Sequence, residues 1–512
     1  MRQRLSPAEN RRAWLWAALI VLMILAAGAG TFLLATHDWT SGSTFLPPES
    51  EALVQAAQGL DAIRISARLD TEAQRLTVTQ DMTLRNRTGP DQQAVVLRSW
   101  TGAYRTQETS PAATEELFYE CYGAAFDAGG LQMSKAYVNG TVSIWHWLDD
   151  AQTVLSLPAD WAAEESVTVT LHYAVDIPNC ASRFGHVRSE RTRLFMLGNV
   201  FPTPAVWEDG AWRTDDYAPI GDPFLSECAN WEVTLTVPRT WTVAASDHAE
   251  PTAQGDDRIW AFTGRALRDF ALVISNGYTA AQGMAGDVLV TAYARTQDAA
   301  QTMLRYARQA IESYAKRWGS YAWPTFTVAE AVFPYGGMEY PGMVMVASDA
   351  IAAGGQVLEY VVAHETAHQW WSVMVGSDGW YQAWQDEALC EYAWLDYVGD
   401  WYGTSDRERM AFDRIETSLR ITVPRTVTPG SPLDYFADLT EYSQVVYQRG
   451  AALWRALETH LGKDALDALL RDYQAQYRFR IATRADLTDV INRHAGQDLS
   501  SLMLDYLDTH MQ

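Results

Sequence analysis

The residues best suited to chemistry in this sequence lie between positions 361 and 371. This stretch contains the pattern H-E-x-x-H as His364, Glu365 and His368. On a helix, positions i and i+4 share a face, so both imidazoles can reach one Zn²⁺ at about 2.0 to 2.1 Å. Glu365 can then lie beside the open metal position and take a proton from water. The pattern predicts a zinc site that activates water; a histidine pair on a surface helix is the alternative.

A catalytic zinc needs three protein ligands and one open position, and Glu387 is the candidate for the third ligand. It follows His368 after 18 intervening residues, in a segment with the character of a second helix. Glu391 lies four residues further on and would share the face of Glu387. From there its carboxylate could orient one zinc imidazole through the other ring nitrogen. A solvated helix acid is the alternative interpretation of Glu391.

Together, the H-E-x-x-H pattern and the glutamate 18 residues later resemble the gluzincin metallopeptidases, in particular the aminopeptidase N and leukotriene hydrolase family. That family also carries an upstream G-x-M-E-N motif. Here the corresponding residues are Gly336, Gly337, Met338, Glu339 and Tyr340, so a tyrosine stands in the place of the asparagine. The resemblance implies that Glu339 binds the free α-amino group of the substrate, while the three residues before it pair with the substrate backbone.

A carboxylate fixed one residue's length from the metal would favour a charged N-terminus and so select removal of single residues. The alternative for Glu339 is an exposed acid in a tight turn. The family also has a tyrosine well after the zinc glutamate, and Tyr447 matches it. The resemblance implies that the Tyr447 hydroxyl donates to the oxyanion of the transition state. A packed core aromatic is the alternative for Tyr447.

The second substrate-amine anchor of the family has no recognisable counterpart in the N-terminal part of this chain. The nearest remnant is the segment Gly221-Asp222-Pro223-Phe224. Any second anchor for the substrate amine is therefore unassigned from the sequence.

The resemblance implies a hydrolase, a zinc aminopeptidase acting on peptides with a free N-terminus and holding one Zn²⁺ per chain. Glu365 would be its general base. Two alternatives stay open. A thermolysin-like zinc endopeptidase would share the metal helices but would not require Glu339. A non-catalytic membrane receptor or scaffold could have kept a peptidase fold.

The periodicity of the sequence divides the chain into a β-rich part and a helical part. Alternating apolar residues recur from about 58 to 290 and indicate half-buried antiparallel strands, whereas a helical period begins near Gln297. The predicted class is α+β and multidomain. An antiparallel β-sandwich-like, saddle-shaped domain over residues 58–290 precedes a mainly helical, thermolysin-like catalytic domain over residues 291–512.

The N-terminus has the features of a membrane anchor. Four arginines within the first twelve residues precede an uncharged apolar run over residues 13–35, and a run of about 20 such residues can span a bilayer as a helix. We predict a basic cytoplasmic N-terminus (1–12), a transmembrane helix in contact with lipid (13–35) and a linker (36–57). The catalytic part would lie outside the cytoplasm at the cell membrane. A cleaved signal peptide is the alternative.

Charge and cysteine content exclude several other functions. The formal net charge of −24 would repel phosphate backbones, so we expect no nucleic acid partner. The four cysteines form no C-x-x-C pair, which argues against a zinc ribbon or a thioredoxin-type redox motif. One disulfide among Cys121, Cys180 and Cys228 is compatible with the sequence. The oligomeric state cannot be derived from it.

Overall fold

The structure is a computed structural model that describes residues 46–112, 114–189, 192–421, 423 and 426–509. The predicted basic N-terminus (1–12), transmembrane helix (13–35) and first part of the linker lie outside these residues. Within the described ranges, no helix combines the length and the apolar character that crossing a bilayer requires. The prediction of a single-pass membrane protein with a lipid-bound helix is therefore not supported and is corrected here.

The end of the predicted linker is a helix that packs against the folded chain. Helix α1 spans Glu51–Ala57, and the Ser50 side chain accepts a hydrogen bond from Leu53 N at 3.2 Å to cap it. Leu53 and Ala57 are buried. This segment is therefore part of the core and not a free stalk.

Eighteen strands are described before residue 276, together with the short helix α2 (Glu115–Tyr122). The strands are β1 Asp61–Asp70, β2 Arg75–Arg85, β3 Gln92–Arg98, β4 Gly130–Val138, β5 Thr141–Ser143, β6 His146–Trp147, β7 Val154–Trp161, β8 Ser166–Asp176, β9 Phe184–Arg188, β10 Arg193–Leu197, β11 Thr203–Pro204, β12 Trp207–Glu208, β13 Ala211–Trp212, β14 Ala229–Pro238, β15 Thr242–Ala245, β16 Thr252–Gln254, β17 Asp257–Leu267 and β18 Leu272–Ser275.

A large sheet in the order β16-β17-β14-β1-β2-β8-β4-β5 dominates this β-rich part. Its pairs are antiparallel except β1 with β14, which run parallel. Along β1, Ile63, Ile65, Ala67 and Leu69 are buried while the residues that alternate with them face solvent, as the alternating pattern predicts. Two four-stranded sheets, β15-β18-β10-β9 and β11-β3-β7-β6, and the two-stranded sheet β12-β13 complete the described sheets of this part.

A five-stranded sheet in the order β19-β20-β21-β23-β22 begins the second part. The ranges are β19 Thr279–Ala285, β20 Val288–Ala294, β21 Thr325–Ala331, β22 Gly337–Tyr340 and β23 Met343–Ala347. Strands β20, β21 and β23 run parallel, and β22 is an antiparallel edge strand. Because β19 and β20 belong to this sheet, most of the strand sequence between 279 and 290 pairs with the second part of the chain. The domain boundary after residue 290 stays a prediction.

The rest of the described chain is mainly helical. The helices are α3 Gln297–Trp318, α4 Ser348–Ala353, α5 Gly355–Ala367, α6 Gly379–Gln382, α7 Glu387–Tyr402, α8 Thr404–Ala411, α9 Leu439–Tyr442, α10 Gly450–Leu461, α11 Lys463–Tyr477, α12 Arg484–Ala495 and α13 Ser500–Leu507. A π-helical segment, Ser443–Arg449, joins α9 to α10, and two short strands, β24 (Val375–Gly376) and β25 (Arg480–Ile481), pair in parallel. The predicted α+β class, with strands first and helices after, is confirmed.

Helices α3, α5 and α7 form the layer that carries the predicted site. Apolar residues of α3 such as Met303 and Ala307 are fully buried, as their spacing predicts. The Tyr314 hydroxyl of α3 donates to the Ala363 carbonyl of α5 at 3.0 Å. This hydrogen bond anchors helix α5 to α3 at the residue directly before His364.

The four cysteines Cys121, Cys180, Cys228 and Cys390 are buried and carry free thiols. The disulfide that the sequence allowed among the first three is not formed in the structure.

Candidate active site

Three side chains from two helices converge on one point. His364 lies in α5, His368 follows at its C-terminal end, and Glu387 begins α7. His364 Nε2, His368 Nε2 and Glu387 Oε2 are each 3.2 Å from the other two. All three residues are buried. The i, i+4 spacing therefore places both imidazoles on one face of the helix, as predicted. They lie opposite the Glu387 carboxylate, the predicted third ligand.

This triangle has the dimensions of a zinc site. A tetrahedral zinc with bonds of about 2.0 to 2.1 Å has ligand atoms about 3.3 to 3.4 Å apart, close to the separations observed here. The donor set of two imidazoles and one carboxylate is a catalytic one that leaves a fourth position open. These residues fit the metal, and the His364, His368 and Glu387 group is one of three such groups among the described residues.

The tautomer of His368 is set by a contact that the sequence does not reveal. Its Nδ1 lies 3.1 Å from the Trp371 carbonyl, which can only accept. Nδ1 therefore carries the proton, and Nε2 presents its lone pair to the other two ligands.

Glu391 does not make the orienting contact expected of it. Its carboxylate accepts hydrogen bonds from the Tyr360 hydroxyl at 2.8 Å and from Arg414 Nη2 at 3.0 Å. His364 Nδ1 is buried without a hydrogen-bond partner among the described side chains and backbone. The Tyr360 ring packs beside the His364 ring, with centroids 5.5 Å apart, so Glu391 is linked to the imidazole through this tyrosine and through its charge, without a direct hydrogen bond.

Glu365, the predicted base, lies next to His368 and faces the edge strand β22. Its carboxylate, the Glu339 carboxylate and the His368 ring have polar atoms within 4.8 Å of one another. Burial raises the pKa of Glu365 to about 8. A Cβ atom at Gly337 would overlap the Glu365 carboxyl group, so only glycine leaves space for this side chain.

Glu339 is fixed relative to the histidines by a clamp on the hairpin that carries it. The side chain of Gln369 donates to the Tyr340 carbonyl at 3.0 Å and accepts from Gly342 N at 3.0 Å. Since Gln369 follows His368 directly, these two hydrogen bonds join the turn after β22 to the end of α5. Gly337 and Glu339 face the cleft, while Met338 faces the opposite side of the strand.

Gly336 lies directly before β22 and accepts a hydrogen bond from Ala347 N at 2.9 Å through its carbonyl. On its other side, β22 has no partner strand in the described sheet. Its free edge can therefore pair with an extended peptide.

The tyrosine that departs from the family motif turns away from the cleft. Tyr340 is buried, and its hydroxyl donates to Asn199 Oδ1 at 3.3 Å. A Cβ atom at Gly198 would overlap the Tyr340 ring and hydroxyl. The Asn-to-Tyr change is therefore accommodated in the β-rich part of the chain and leaves Glu339 in place.

Asp222, which the sequence did not assign, lies inside the cleft. Its carboxylate has an oxygen within 4.8 Å of ligand atoms of Glu339 and Glu387. Arg183 Nη2 pairs with Asp222 Oδ1 at 2.7 Å, and the Arg183 guanidinium lies 5.0 Å from the Tyr335 ring centroid. Burial raises the pKa of Asp222, and Arg183 opposes this rise. The only sequence signal was the Gly-Asp-Pro remnant at 221–223.

Two tyrosines, one at the end of α9 and one in the π-helical segment that follows it, face the metal ligands. The Tyr447 hydroxyl donates to Glu387 Oε1 at 2.6 Å, and its ring stacks on His364 with centroids 5.5 Å apart. Burial, together with the Glu387 carboxylate, raises the pKa of Tyr447, so the hydroxyl keeps its proton. Tyr442, not singled out from the sequence, lines the cleft with a buried hydroxyl that has no described partner.

The structure thus brings the predicted ligands, Glu365, Glu339 and Tyr447 into one cleft of about 410 Å³, which Arg183, Asp222 and Tyr442 also line. The cleft lies between the β-rich part, which supplies Arg183 and Asp222, and the helical part, which supplies the ligands. Both halves of the chain are therefore required for a complete site.

Comparison with known proteins supports the assignment of this cleft as a zinc site. Residues 302–506 match the peptidase family M1 domain. The chain is 29% identical over 190 residues to leukotriene A-4 hydrolase of Xenopus laevis, which covers 36% of this chain and 30% of that protein. It is 26% identical over 189 residues to leucine aminopeptidase 2-1 of Meyerozyma guilliermondii, covering 35% of this chain and 30% of that protein.

Among solved structures, an M1 zinc metallopeptidase from Deinococcus radiodurans superimposes with a TM-score of 0.63 at 17% identity, covering 88% of this chain and 93% of that one. Native yeast LTA4 hydrolase gives 0.63 at 15% identity, covering 88% of this chain and 67% of that one. At these identities the likeness is one of fold.

These findings confirm the predicted resemblance, the class of zinc metallopeptidase hydrolase and the zinc cofactor. The aligned part spans about 30% of the length of the named sequence relatives.

Proposed function

We propose that this chain, which carries a peptidase family M1 domain, is a zinc aminopeptidase that removes single residues from the free N-terminus of peptides. The observation that carries the proposal is the position of two carboxylates, Glu339 and Asp222, beside the ligand Glu387, with polar atoms within 4.8 Å of one another. Such carboxylates hold a substrate ammonium about one residue from the metal.

The β-rich part would be the saddle-shaped domain of this fold and the helical part its thermolysin-like catalytic domain. In that arrangement His364, His368 and Glu387 hold Zn²⁺. When bound, the ion supplies Lewis-acid chemistry, which acidifies water and polarises a carbonyl group.

Glu365 is the general base of the proposed reaction. Its buried carboxyl, with a pKa of about 8, suits a group that takes a proton from water and returns it to the leaving amine near neutral pH. Gly337 leaves the space in which this carboxyl approaches the substrate strand. The free edge of β22 would pair with the substrate backbone and present the scissile carbonyl to Glu365.

Glu339 and Asp222 bind the substrate ammonium, and the Arg183 charge favours the ionised form of Asp222 against the effect of burial, which raises its pKa. The hydroxyl of Tyr447, which keeps its proton, donates to the oxyanion as charge develops on the scissile carbonyl. This donor turns from Glu387 Oε1 to the substrate oxygen. Removing a single donor of this kind costs about 10²- to 10³-fold in kcat.

The test is a comparison of free and N-acetylated peptides of the same sequence. The zinc-loaded protein should cleave only the free peptides, lose activity with a chelator and regain it with zinc. Glu339→Gln should lower kcat/KM on free peptides by at least about 100-fold, because a neutral amide can accept a hydrogen bond from the ammonium but does not form an ion pair with it.

Glu330→Gln is the matched control for this substitution. Glu330 lies on β21, which is separated from β22 by β23 in the same sheet, and pairs with Arg295. Its variant should retain activity. Equal cleavage of free and acetylated peptides, with equal losses in Glu339→Gln, would instead establish the thermolysin-like endopeptidase. Absence of any zinc-dependent hydrolysis would favour a non-catalytic scaffold.

A further inference from the structure

A second cavity lies behind the two carboxylates that face the zinc ligands. It has a volume of about 70 Å³. Asp222 and Glu339 line both this cavity and the main cleft, so the two spaces adjoin at these residues. A group attached to the carbon next to an amine held by Glu339 and Asp222 therefore starts beside this second cavity.

The walls of the cavity combine apolar sides with an acidic end. Met338, Phe224, Leu225 and Val373 contribute apolar surface, whereas Asp269 and Asp386 contribute carboxyl groups. A cavity lined by both apolar side chains and carboxyl groups suits a long aliphatic side chain that carries a positive charge.

Arg268 also lines the cavity, but each of its three guanidinium nitrogens is committed to a backbone carbonyl. Its Nε donates to Val373 O at 2.9 Å, Nη1 to Ser226 O at 2.8 Å and Nη2 to Arg480 O at 2.8 Å. This side chain is therefore part of the wall and does not supply the hydrogen bonds that a ligand would need.

Asp269 has one carboxylate oxygen without a partner. Its Oδ2 accepts hydrogen bonds from Asn199 N at 3.1 Å and from Asn199 Nδ2 at 2.9 Å. Its Oδ1 is buried and has no hydrogen-bond partner among the described residues, and Asp269 is only 6% exposed. A buried acceptor without a donor costs free energy, so this oxygen points to a donor that arrives with a ligand.

The other acid at this end is already satisfied. Asp386 accepts from the Ser377 hydroxyl at 2.7 Å and from Glu387 N at 2.8 Å. Of the two acids, Asp269 therefore provides the free acceptor, its Oδ1.

We propose that this cavity binds the side chain of the first residue of the substrate and selects lysine. The proposal rests on the proposed aminopeptidase function, in which Glu339 and Asp222 hold the amine. A volume of about 70 Å³ equals the space of about five water probes, which matches the four carbons and one nitrogen of a lysine side chain. The ammonium group donates to Asp269 Oδ1 and faces Asp386.

The experiment uses zinc-loaded protein and two substrates that differ only in the terminal amine of the first side chain, lysyl and norleucyl derivatives of one fluorogenic amine. A charge-assisted hydrogen bond predicts a kcat/KM about 10- to 100-fold higher for lysine. Asp269→Asn should lower this lysine-to-norleucine ratio by about 10-fold or more. A wild-type ratio at or below one, or a ratio unchanged in Asp269→Asn, overturns the proposal.

Asp247→Asn is the matched control. Asp247 also accepts hydrogen bonds, from Thr263 N at 3.0 Å and from the Thr325 hydroxyl at 3.2 Å, but it lies outside the cavity lining. Its variant should keep the lysine-to-norleucine ratio of the unmodified protein.

A second variant tests the volume separately from the charge and keeps the proposal testable if Asp269→Asn does not fold. Leu225→Trp fills the cavity and should lower kcat/KM for lysyl and norleucyl substrates far more than for alanyl substrates. Equal losses on all three would show that the side chain binds elsewhere. The proposed function fails only if no aminoacyl substrate is hydrolysed, whereas hydrolysis without lysine preference removes this inference alone.

Discussion

Replacing Arg183 by methionine should expose how strongly the cleft depends on one ion pair. The Arg183 side chain is 9% exposed and that of Asp222 is 20% exposed, and they meet at 2.7 Å. Removing one partner of a buried pair costs about 3 to 5 kcal/mol, because the other charge is left uncompensated. Here the remaining Asp222 carboxylate would also face Glu339 and Glu387. We expect Arg183→Met to lower the free energy of unfolding by about 3 kcal/mol.

The double variant Arg183→Met with Asp222→Asn provides the sharper measurement. Asp222→Asn alone should cost about 2 kcal/mol, since Arg183 keeps two contacts of 3.2 Å to the Gly221 carbonyl but loses its counter-charge. With both charges removed, no ion remains unpaired, and methionine can pack on the Tyr335 and Phe224 rings. The double variant should therefore be less destabilised than the sum of the singles by about 2 to 3 kcal/mol.

The assay is urea unfolding followed by circular dichroism for all four proteins, at one pH and one free zinc concentration. Shared slopes would show that stability, and not the denatured state, has changed. Additive losses, within about 0.5 kcal/mol, would refute the reasoning, because they would mean that the two side chains are satisfied independently. A second readout is KM for free peptides, which Arg183→Met should raise if Asp222 loses its charge.

Three further predictions follow from other contacts. Chelation of zinc should lower the melting temperature, because a metal bound only by the folded state adds about 2.7 kcal/mol to the free energy of unfolding when its free concentration is 100 times Kd. Calorimetry measures this shift. No shift on chelation and no recovery with zinc would contradict the site at His364, His368 and Glu387. Burial raises the pKa of Asp269 to about 7 in the folded state from 3.8, so the folded state binds the extra proton between these values. Its contribution to stability should fall by about 4 kcal/mol as pH rises from about 4 to 7 and stay level above; Asp269→Asn should lack this fall in unfolding measured across that range. Gly337→Ala should reduce kcat/KM at least about tenfold with zinc content unchanged, because the new Cβ overlaps the Glu365 carboxyl; full activity would show that this carboxyl need not sit there.

The part of the site that could be predicted from the sequence is the part set by local geometry. His364 and His368 share a helix face because of their i, i+4 spacing, and Glu387 begins α7, another helix of the same layer. The long amphipathic α3 and the alternation in β1 were equally local signals.

What the sequence could not supply depends on chain segments that meet only in the fold. Asp222 and Arg183 enter the cleft from the β-rich part, more than 140 residues before the histidines. No local pattern marks either as a partner of Glu339. The Trp371 carbonyl that orients His368 is a backbone group and leaves no trace in residue type.

Tertiary packing explains one contact that was expected and not formed, and one residue that departs from the family motif. Glu391 was expected to contact a zinc imidazole, but Arg414 and Tyr360 take both of its oxygens, since a buried carboxylate next to a guanidinium pairs with it first. Tyr340 was a departure from the family motif, and its reason lies in the space above Gly198.

The hydrogen bonds of Arg268 affect when the chain can complete its fold during synthesis. Its guanidinium joins Ser226, Val373 and Arg480, and the last of these is 212 residues away along the chain. A growing chain leaves the ribosome from its N-terminus, so Arg268 lacks its third acceptor until residue 480 has been synthesised. The same side chain holds the loop between the second histidine and the zinc glutamate through Val373. A nascent chain that has not yet reached residue 480 should therefore carry the metal-binding residues while this loop lacks its full set of contacts.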